Sequence, residues 1–159
     1  MTNYEARFGG ILRLYGRHGQ DRLRGAHVCV VGIGGVGSWA VEALARTGIG
    51  TLTLVDLDDV CISNVNRQLH ALTGEFGKPK VEVMAARVQL INPDCVVHAQ
   101  QMLFTASTAE QILAPKYDCV LDAIDRTVMK ASLIAECRRR QLPIVVTGGA
   151  GGRRDPLAI

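Results

Sequence analysis

The most chemically suggestive feature of the sequence is a run of glycines within residues 30–38, VVGIGGVGS. Gly32, Gly34 and Gly37 match the pattern G-x-G-x-x-G, and Gly35 adds a fourth glycine inside it. In such a pattern the first glycine permits a tight turn, the second lets the backbone approach a phosphate, and the third lets a helix pack on a strand. Phosphate would then meet free N–H groups at the positive end of a helix.

An aspartate stands where a nucleotide site of this kind needs one. Asp56 ends a second apolar run and follows Gly37 by 19 residues. There its carboxylate can accept hydrogen bonds from ribose hydroxyls. A nucleotide-binding site is therefore predicted.

The polar stretch after Asp56 suggests which nucleotide is bound. A nicotinamide enzyme usually continues with an ordinary helix, whereas this sequence opens into a long polar loop that extends to Gly77. The fork of Arg67 and the point charge of Lys80 suit phosphate oxygens, and a triphosphate needs such cations more than a dinucleotide does. The alternative is that both are solvated surface charges. Three further polar residues of this stretch are candidate nucleotide contacts: Asp58, Asn64 and Gln68.

Two more aspartates follow a later apolar run. Asp122 and Asp125 lie where the carboxyl end of a parallel strand faces the ligand crevice, and hard carboxylate oxygens there suit Mg²⁺. We assign Asp122 to the nucleotide site and Asp125 to the metal. For Asp122 the alternative is a role at the strand end or in loop capping. For Asp125 it is an N-cap of the following helix.

These residues must be positioned by alternating strands and helices. Five short apolar segments are predicted as strands, at 27–32, 51–55, 95–99, 118–122 and 143–147, with helices at 36–47, 79–90, 108–113 and 127–140. Such alternation predicts an α/β fold, a Rossmann-like mostly parallel sheet with helices on both faces. Residues 1–26 form a predicted N-terminal helical arm, and 27–159 a nucleotide-binding domain that we expect to continue beyond Ile159.

Composition restricts the class of protein. The 159 residues carry a formal charge of +3, which permits contact with a polyanion without arguing for one. Five cysteines without a C-x-x-C pair favour a reducing compartment, and Cys29 and Cys119 are expected in the interior. No signal peptide or membrane-length apolar run is visible, so a cytoplasmic location is predicted.

Taken together, these motifs resemble the ubiquitin-activating-like adenylating family, which includes the activators of molybdopterin and thiamine biosynthesis. The resemblance runs over about residues 7–155. It rests on the glycine loop, on Asp56 and Asp58, and on Ser63-Asn64, Arg67-Gln68, Lys78-Pro79-Lys80 and Asp122-Ala123-Ile124-Asp125. It implies that ATP binds with its phosphates at Gly34 and Gly35 and its ribose at Asp56. Asn64, Arg67 and Lys80 would hold the triphosphate and developing charge, and Asp125 the Mg²⁺.

Within that family, the residues at both ends of the chain look like those of one branch, the tRNA threonylcarbamoyladenosine dehydratases. These stretches are RFGG at 7–10, RLYG at 13–16, TGGAGG at 147–152, and Asp155-Pro156. The branch closes the hypermodified base beside the anticodon into a cyclic form, with ATP. The resemblance implies tRNA as the substrate, a homodimer, and possible sulfur-transfer partner proteins.

One departure from the family concerns an arginine that reaches across the dimer in the carrier activators, often within R-[FY]-x-R. Gly10 stands at its position here, so Arg13 is the nearest substitute, with Arg7 and Arg17 as alternatives. Two other functions stay open. One is activation of the C-terminus of a ubiquitin-like sulfur carrier, and the other is a nicotinamide-dependent oxidoreductase or noncatalytic nucleotide sensor.

Three remaining features are given structural interpretations. We expect Arg138-Arg139-Arg140 to lie in the last turn of a helix, where basic side chains interact favourably with the helix dipole. The alternative is contact with tRNA. Trp39 is expected in the core rather than as a platform for a base, and His70, which has no evident partner, is expected to be structural.

Overall fold

A parallel sheet organises the chain in the computed structural model, which describes residues 3–149, 151–152, 154–155 and 157. Its five strands are β1 (His27–Val31), β2 (Thr51–Val55), β3 (Val96–Gln100), β4 (Cys119–Asp122) and β5 (Ile144–Val146). They are all parallel and lie in the order β3-β2-β1-β4-β5. The predicted Rossmann-like fold is confirmed.

Helices connect the strands as the sequence pattern indicates. They are α1 (Asn3–Gly25), α2 (Gly37–Arg46), α3 (Lys80–Ile91), α4 (Ala109–Ile112) and α5 (Thr127–Arg139), with a short 3₁₀ helix at Ile62–Asn64. The ends of α2–α5 and of all five strands lie within one residue of their predicted ends. Ala150 and Pro156, which belong to the C-terminal resemblance, lie outside the described residues.

Two apolar layers cover the two faces of the sheet. Because side chains alternate along a strand, Val28 and Val30 face one layer, which includes Val41, Met84 and Val88 of α2 and α3. The other layer, under α4 and α5, contains Cys29, Val31, Ile112, Val120, Leu133 and Cys137. Cys29 is fully buried as predicted, whereas Cys119 is only partly buried.

The N-terminal arm packs against the edge of the sheet where the strands begin. α1 has non-helical backbone angles at Phe8 and Gly16, so the predicted helical arm is interrupted at these two residues. The Tyr4 hydroxyl donates to the Gly48 carbonyl, and Arg7 donates to the carbonyl of Ile91, at the end of α3. Both anchors therefore lie at the edge opposite the carboxyl ends of the strands.

Backbone crowding fixes the turn between β1 and α2. Gly32 has φ +91°, in the left-handed region that favours glycine. A Cβ on Gly37 would stand 1.8 Å from the Gly32 carbonyl oxygen, so only glycine lets α2 approach the strand this closely. The structure thus confirms the packing role predicted for Gly37.

We expect Gly37→Ala to lower the free energy of unfolding by about 1–3 kcal/mol, because the added methyl overpacks a backbone contact that cannot yield locally. Urea unfolding followed by circular dichroism measures this change. Gly34→Ala, in the same loop, is the matched control, since its Cβ would meet nothing closer than 3.8 Å. Equal stability of the two variants would contradict this account of the turn.

Candidate functional site

A cleft of about 770 Å³ opens at the carboxyl ends of β1, β2 and β4. The adjacent strands β1 and β4 mark the point where successive connections diverge across the sheet, the place where open α/β sheets bind ligands. Most of the predicted site residues line this cleft: Gly32, Gly34, Gly35, Asp56, Asp58, Asn64, Arg67, Gln68, Lys80 and Asp125. Gly37, Asp122 and Arg13 are not part of its lining.

The glycine loop forms the floor of the cleft beneath the start of α2. A Cβ on Gly34 would lie 3.8 Å from Nε2 of Gln68, and one on Gly35 would lie 3.3 Å from Cγ of Arg67. Neither glycine is therefore required for packing as Gly37 is. Their lack of side chains instead leaves the backbone open toward the cleft at the positive end of a helix, the arrangement that suits a phosphate.

Asp56 connects the end of β2 to the glycine loop. Its Oδ2 accepts the Ile33 N–H at 2.6 Å, and its Oδ1 accepts the Asp58 N–H at 2.9 Å. An ionised carboxylate has about four lone-pair sites, so each oxygen can still accept another bond. The backbone thus orients this side chain at the cleft, where it can receive ribose hydroxyls.

Lys80 brings a positive charge to the cleft from the first residue of α3. Its side chain is 6% exposed, and its Nζ lies 2.8 Å from Oδ2 of Asp58, whose side chain is 69% exposed. The ion pair thus has one buried and one open partner. A phosphate that enters the cleft can replace or join the aspartate without uncovering the lysine.

Arg67 lines the cleft next to the glycine loop, where its Cγ would lie 3.3 Å from a Cβ on Gly35. Its guanidinium donates to the Ser63 carbonyl at 3.0 Å and to Oδ1 of Asn66 at 2.9 Å. No carboxylate pairs with it in the described part of the chain. Because its partners are neutral oxygens, its charge remains available to an anion.

The structure corrects the prediction that Trp39 is a core residue. Its side chain is 56% exposed, and its indole N–H donates to the Arg67 carbonyl at 3.1 Å. The buried face of α2 instead includes Val41 and Ala45. Trp39 lies one turn before Ala43, which is exposed, so helical geometry places both away from the sheet.

Two amides complete this wall of the cleft. Oδ1 of Asn64 accepts the Cys61 N–H at 3.1 Å and so fixes the start of the 3₁₀ helix. Gln68 is 7% exposed, and its buried Oε1 has no hydrogen-bond partner in the part of the chain that the structure describes. A buried acceptor without a donor is unfavourable. Gln68 is thus able to receive a hydrogen bond from a ligand.

The two aspartates after β4 occupy different environments. Asp125 lines the cleft, is exposed, and has no hydrogen-bond or ion-pair partner among the described residues. It does not cap α5, whose N-cap residue is Arg126 and lacks a side-chain capping bond. Asp122 is fully buried and pairs with Lys130 at 2.6 Å. It therefore does not reach the cleft, and the alternative of a strand-end role fits its position.

Arg13 is not brought to the cleft of its own chain. It is exposed on α1, whose anchors at Gly48 and Ile91 lie at the opposite edge of the sheet. Arg17, one alternative, pairs with Glu5, and Arg7 is bound to the carbonyl of Ile91.

Several lining residues were missed by the sequence interpretation. Arg126, next to Asp125, adds an exposed cation, and Met102, Leu103 and Phe104 add an apolar wall after β3. Thr147 and the glycines after it line the far side. Position at the carboxyl end of a parallel strand could have identified all of them, since these ends converge.

The basic cluster at the end of α5 is largely neutralised. Arg139 pairs with Glu136, and Arg140 pairs with Glu110 and Glu136. Two of its three charges are thus engaged locally, which favours the structural interpretation over tRNA contact.

None of the described helices is long and apolar enough to cross a membrane.

His70 lies buried in the loop that carries Arg67 and Gln68. It is 1% exposed, and neither ring nitrogen has a hydrogen-bond partner among the described residues. Burial, together with the charge of Lys80, lowers the pKa of His70 to about 4. The ring is therefore neutral near pH 7, as its predicted structural role requires.

Stability should fall as the pH falls from about 6.5 toward 4, because the unfolded state binds a proton that buried His70 refuses. The loss from this group reaches about 3 kcal/mol at the acid end of that window. In His70→Leu this part of the pH dependence should be absent. Urea midpoints of both proteins from pH 4 to 7 measure it, and parallel curves would refute the assignment.

Residues 9–157 match the ThiF family. The chain is 55% identical over 159 residues to the tRNA threonylcarbamoyladenosine dehydratase of Haemophilus influenzae. The alignment covers all of this chain and 61% of that protein. It is 54% identical over 156 residues to the enzyme of the same name from Escherichia coli, spanning 98% of this chain and 58% of the relative.

A solved structure gives the same picture. The crystal structure of Escherichia coli tRNA N6-threonylcarbamoyladenosine dehydratase in complex with ATP matches with a TM-score of 0.96 and 53% identity. The match covers 99% of this chain and 65% of that one, so the chain spans about three fifths of the length of these relatives. The chain belongs to the ThiF family.

Proposed function

We propose that this chain is the nucleotide-binding part of an ATP-dependent tRNA threonylcarbamoyladenosine dehydratase. The observation that carries the proposal is one cleft lined by an open glycine loop, by buried Lys80 and by Arg67, which has no carboxylate partner among the described residues. The two relatives of that name from Haemophilus influenzae and Escherichia coli share more than half of their aligned residues with this chain, and the latter was crystallised with ATP.

The proposed reaction is adenylyl transfer to the carboxylate of threonylcarbamoyladenosine in tRNA. A carboxylate oxygen attacks the α-phosphorus of ATP, the bond to pyrophosphate breaks, and a mixed anhydride with AMP forms. An internal nucleophile of the modified base then attacks the activated carbonyl carbon. AMP leaves as the ring closes, and its phosphate carries away the electron pair of the broken C–O bond.

The protein would contribute position and charge rather than a covalent intermediate. Gly34 and Gly35 let backbone N–H groups meet the phosphates, and Asp56 receives the ribose. Lys80 and Arg67 both line the cleft, where they would stabilise the negative charge that develops as pyrophosphate leaves. Gln68 supplies a buried acceptor beside them.

The residues present fit a magnesium ion. Asp125 offers an exposed carboxylate without a partner among the described residues, and Mg²⁺ commonly takes one or two carboxylates with phosphate oxygens and water. When bound, Mg²⁺ would neutralise phosphate charge. Asp125 would hold it, and the backbone turn before α5 would orient that carboxylate.

A homodimer is part of the proposal. As the arm lies here, Arg13 is remote from its own cleft, so it can serve catalysis only in a neighbouring copy. Two-fold association is the commonest oligomeric arrangement. Light scattering that finds only monomers of the complete protein at its working concentration would exclude this role.

ATP–pyrophosphate exchange tests the function. With the complete protein and labelled pyrophosphate, we expect exchange that depends on tRNA bearing threonylcarbamoyladenosine. Unmodified tRNA is the matched control. A ubiquitin-like carrier with a Gly-Gly tail tests the alternative, and exchange driven by the carrier alone would overturn the tRNA assignment.

Calorimetry should show ATP binding more tightly than NAD; the reverse would favour an oxidoreductase.

Lys80→Ala should slow turnover by about 10²-fold, because it removes a preorganised charge from the developing anion. Lys78→Ala is the control: Lys78 is exposed, pairs with Glu75 and does not line the cleft. Steady-state rates with saturating ATP compare the two, and circular dichroism checks that both fold. Equal rates would mean that Lys80 is only a partner of Asp58.

A further inference from the structure

The buried carboxylate of Asp122 holds in place residues that line the cleft after β4. Asp122 is fully buried, and both of its carboxylate oxygens are engaged. Oδ1 accepts the Ile124 N–H at 2.9 Å, and Oδ2 accepts from Nζ of Lys130 at 2.6 Å. The side chain therefore fixes the first residues after β4 and ties them to α5.

The same group reaches the end of β5. Nζ of Lys130 also donates to the Thr147 carbonyl at 3.1 Å. In return, the Thr147 hydroxyl and N–H donate to the Asp122 carbonyl at 2.9 and 3.0 Å. We call Asp122, Ile124, Lys130 and Thr147 the Asp122 cluster, in which the Lys130 side chain, from α5, bonds to both Asp122 and Thr147.

The segments held by this cluster are those that line the far side of the cleft. Ala123, Ile124 and Asp125 continue from Asp122, and Gly148 and Gly149 continue from Thr147. A glycine turn has no side chains to hold it in place, and Asp125 has no side-chain partner among the described residues. The placement of both segments therefore depends on backbone bonds: the cluster supplies those at Ile124 and Thr147, and Val31 of β1 accepts the Ala123 N–H at 2.9 Å.

We infer that Lys130 is a positioning residue: without touching the substrate, it sets the spacing between two segments that line the cleft, residues 123–125 and residues 147–149. This inference rests on the proposed function only for its consequence, namely that Asp125 holds magnesium beside ATP. The ammonium of Lys130 also pairs with the Asp122 carboxylate. Without it, Asp122 would be buried as an unpaired charge, which is strongly unfavourable. Removal of Lys130 should therefore disturb both segments.

Amide hydrogen exchange without ligand tests the structural part directly. In Lys130→Met we expect exchange at least tenfold faster in peptides covering 123–125 and 147–149, with the strands β1 and β2 unchanged. Lys116→Met, at an exposed lysine outside the cleft, is the control. Uniformly faster exchange over the whole chain, or none, would overturn the positioning role.

A second measurement uses magnesium. The concentration of Mg²⁺ that half-saturates the gain in ATP affinity, measured by calorimetry, should rise about tenfold in Lys130→Met, while ATP affinity without Mg²⁺ stays within threefold. Lys130→Met/Asp122→Asn removes the unpaired buried charge, so its stability should recover while its magnesium requirement stays high. Recovery of both together would reduce Lys130 to a charge partner and refute the inference.

A third variant covers the case in which neither methionine variant folds. Thr147→Val removes the hydroxyl bond to Asp122 and keeps the backbone bond, and it should raise the magnesium requirement two- to fivefold. No change there would count against the cluster. If wild-type protein fails to bind ATP, the proposed function fails, whereas the exchange experiment still decides the role of Lys130.

Discussion

The close contact between the backbones of Gly32 and Gly37 is the constraint on which the cleft depends. A methyl group on the Gly37 Cα would collide with the Gly32 carbonyl oxygen. Because glycine has no such group, α2 can begin directly against the end of β1. This contact aims the start of the helix at the carboxyl edge of the sheet and leaves Gly34 and Gly35 facing the cleft. Asp56 then holds the loop through the Ile33 N–H.

Parallel strands extend this constraint to the rest of the site. Since all five strands run in one direction, the segments after β1, β2, β4 and β5 meet at one edge. Residues far apart in sequence, such as Lys80 and Asp125, are thereby brought into one cleft, while the N-terminal arm is anchored at the other edge. The fold separates the edge that carries the cleft from the edge that carries Arg13.

Much of this architecture could be predicted from the sequence, because its signals are local. Short apolar runs alternate with helical patterns, and glycines mark the turn after β1, so the predicted strand and helix ends lie within a residue. Asp56 and Lys80 were found for the same reason, since one follows a strand and the other begins a helix, whereas Arg67 was found from its charge within the long polar loop after β2. Their presence in one cleft follows from parallel topology rather than from any contact readable in the sequence.

What could not be predicted depends on orientation and pairing. Trp39 is apolar by type, yet it occupies the outer face of α2 and is tied to the Arg67 carbonyl. Asp122 and Asp125 are identical in type and three residues apart, but one is buried against Lys130 and the other faces the cleft. The sequence does not state which lysine will reach a given carboxylate.

The charges that line the cleft explain why a metal would accompany the nucleotide. Among the described lining residues, Asp56, Asp58 and Asp125 oppose Arg67, Lys80 and Arg126, so the acidic and basic charges balance without a ligand. A bound triphosphate would add several negative charges, and one of the two cations proposed to meet it, Lys80, is already paired with Asp58. A divalent cation at Asp125 would offset part of that excess on the side of the cleft where Asp125 faces the ligand. The positioning of that carboxylate by the Asp122 cluster would then matter as much to nucleotide binding as the glycine loop itself.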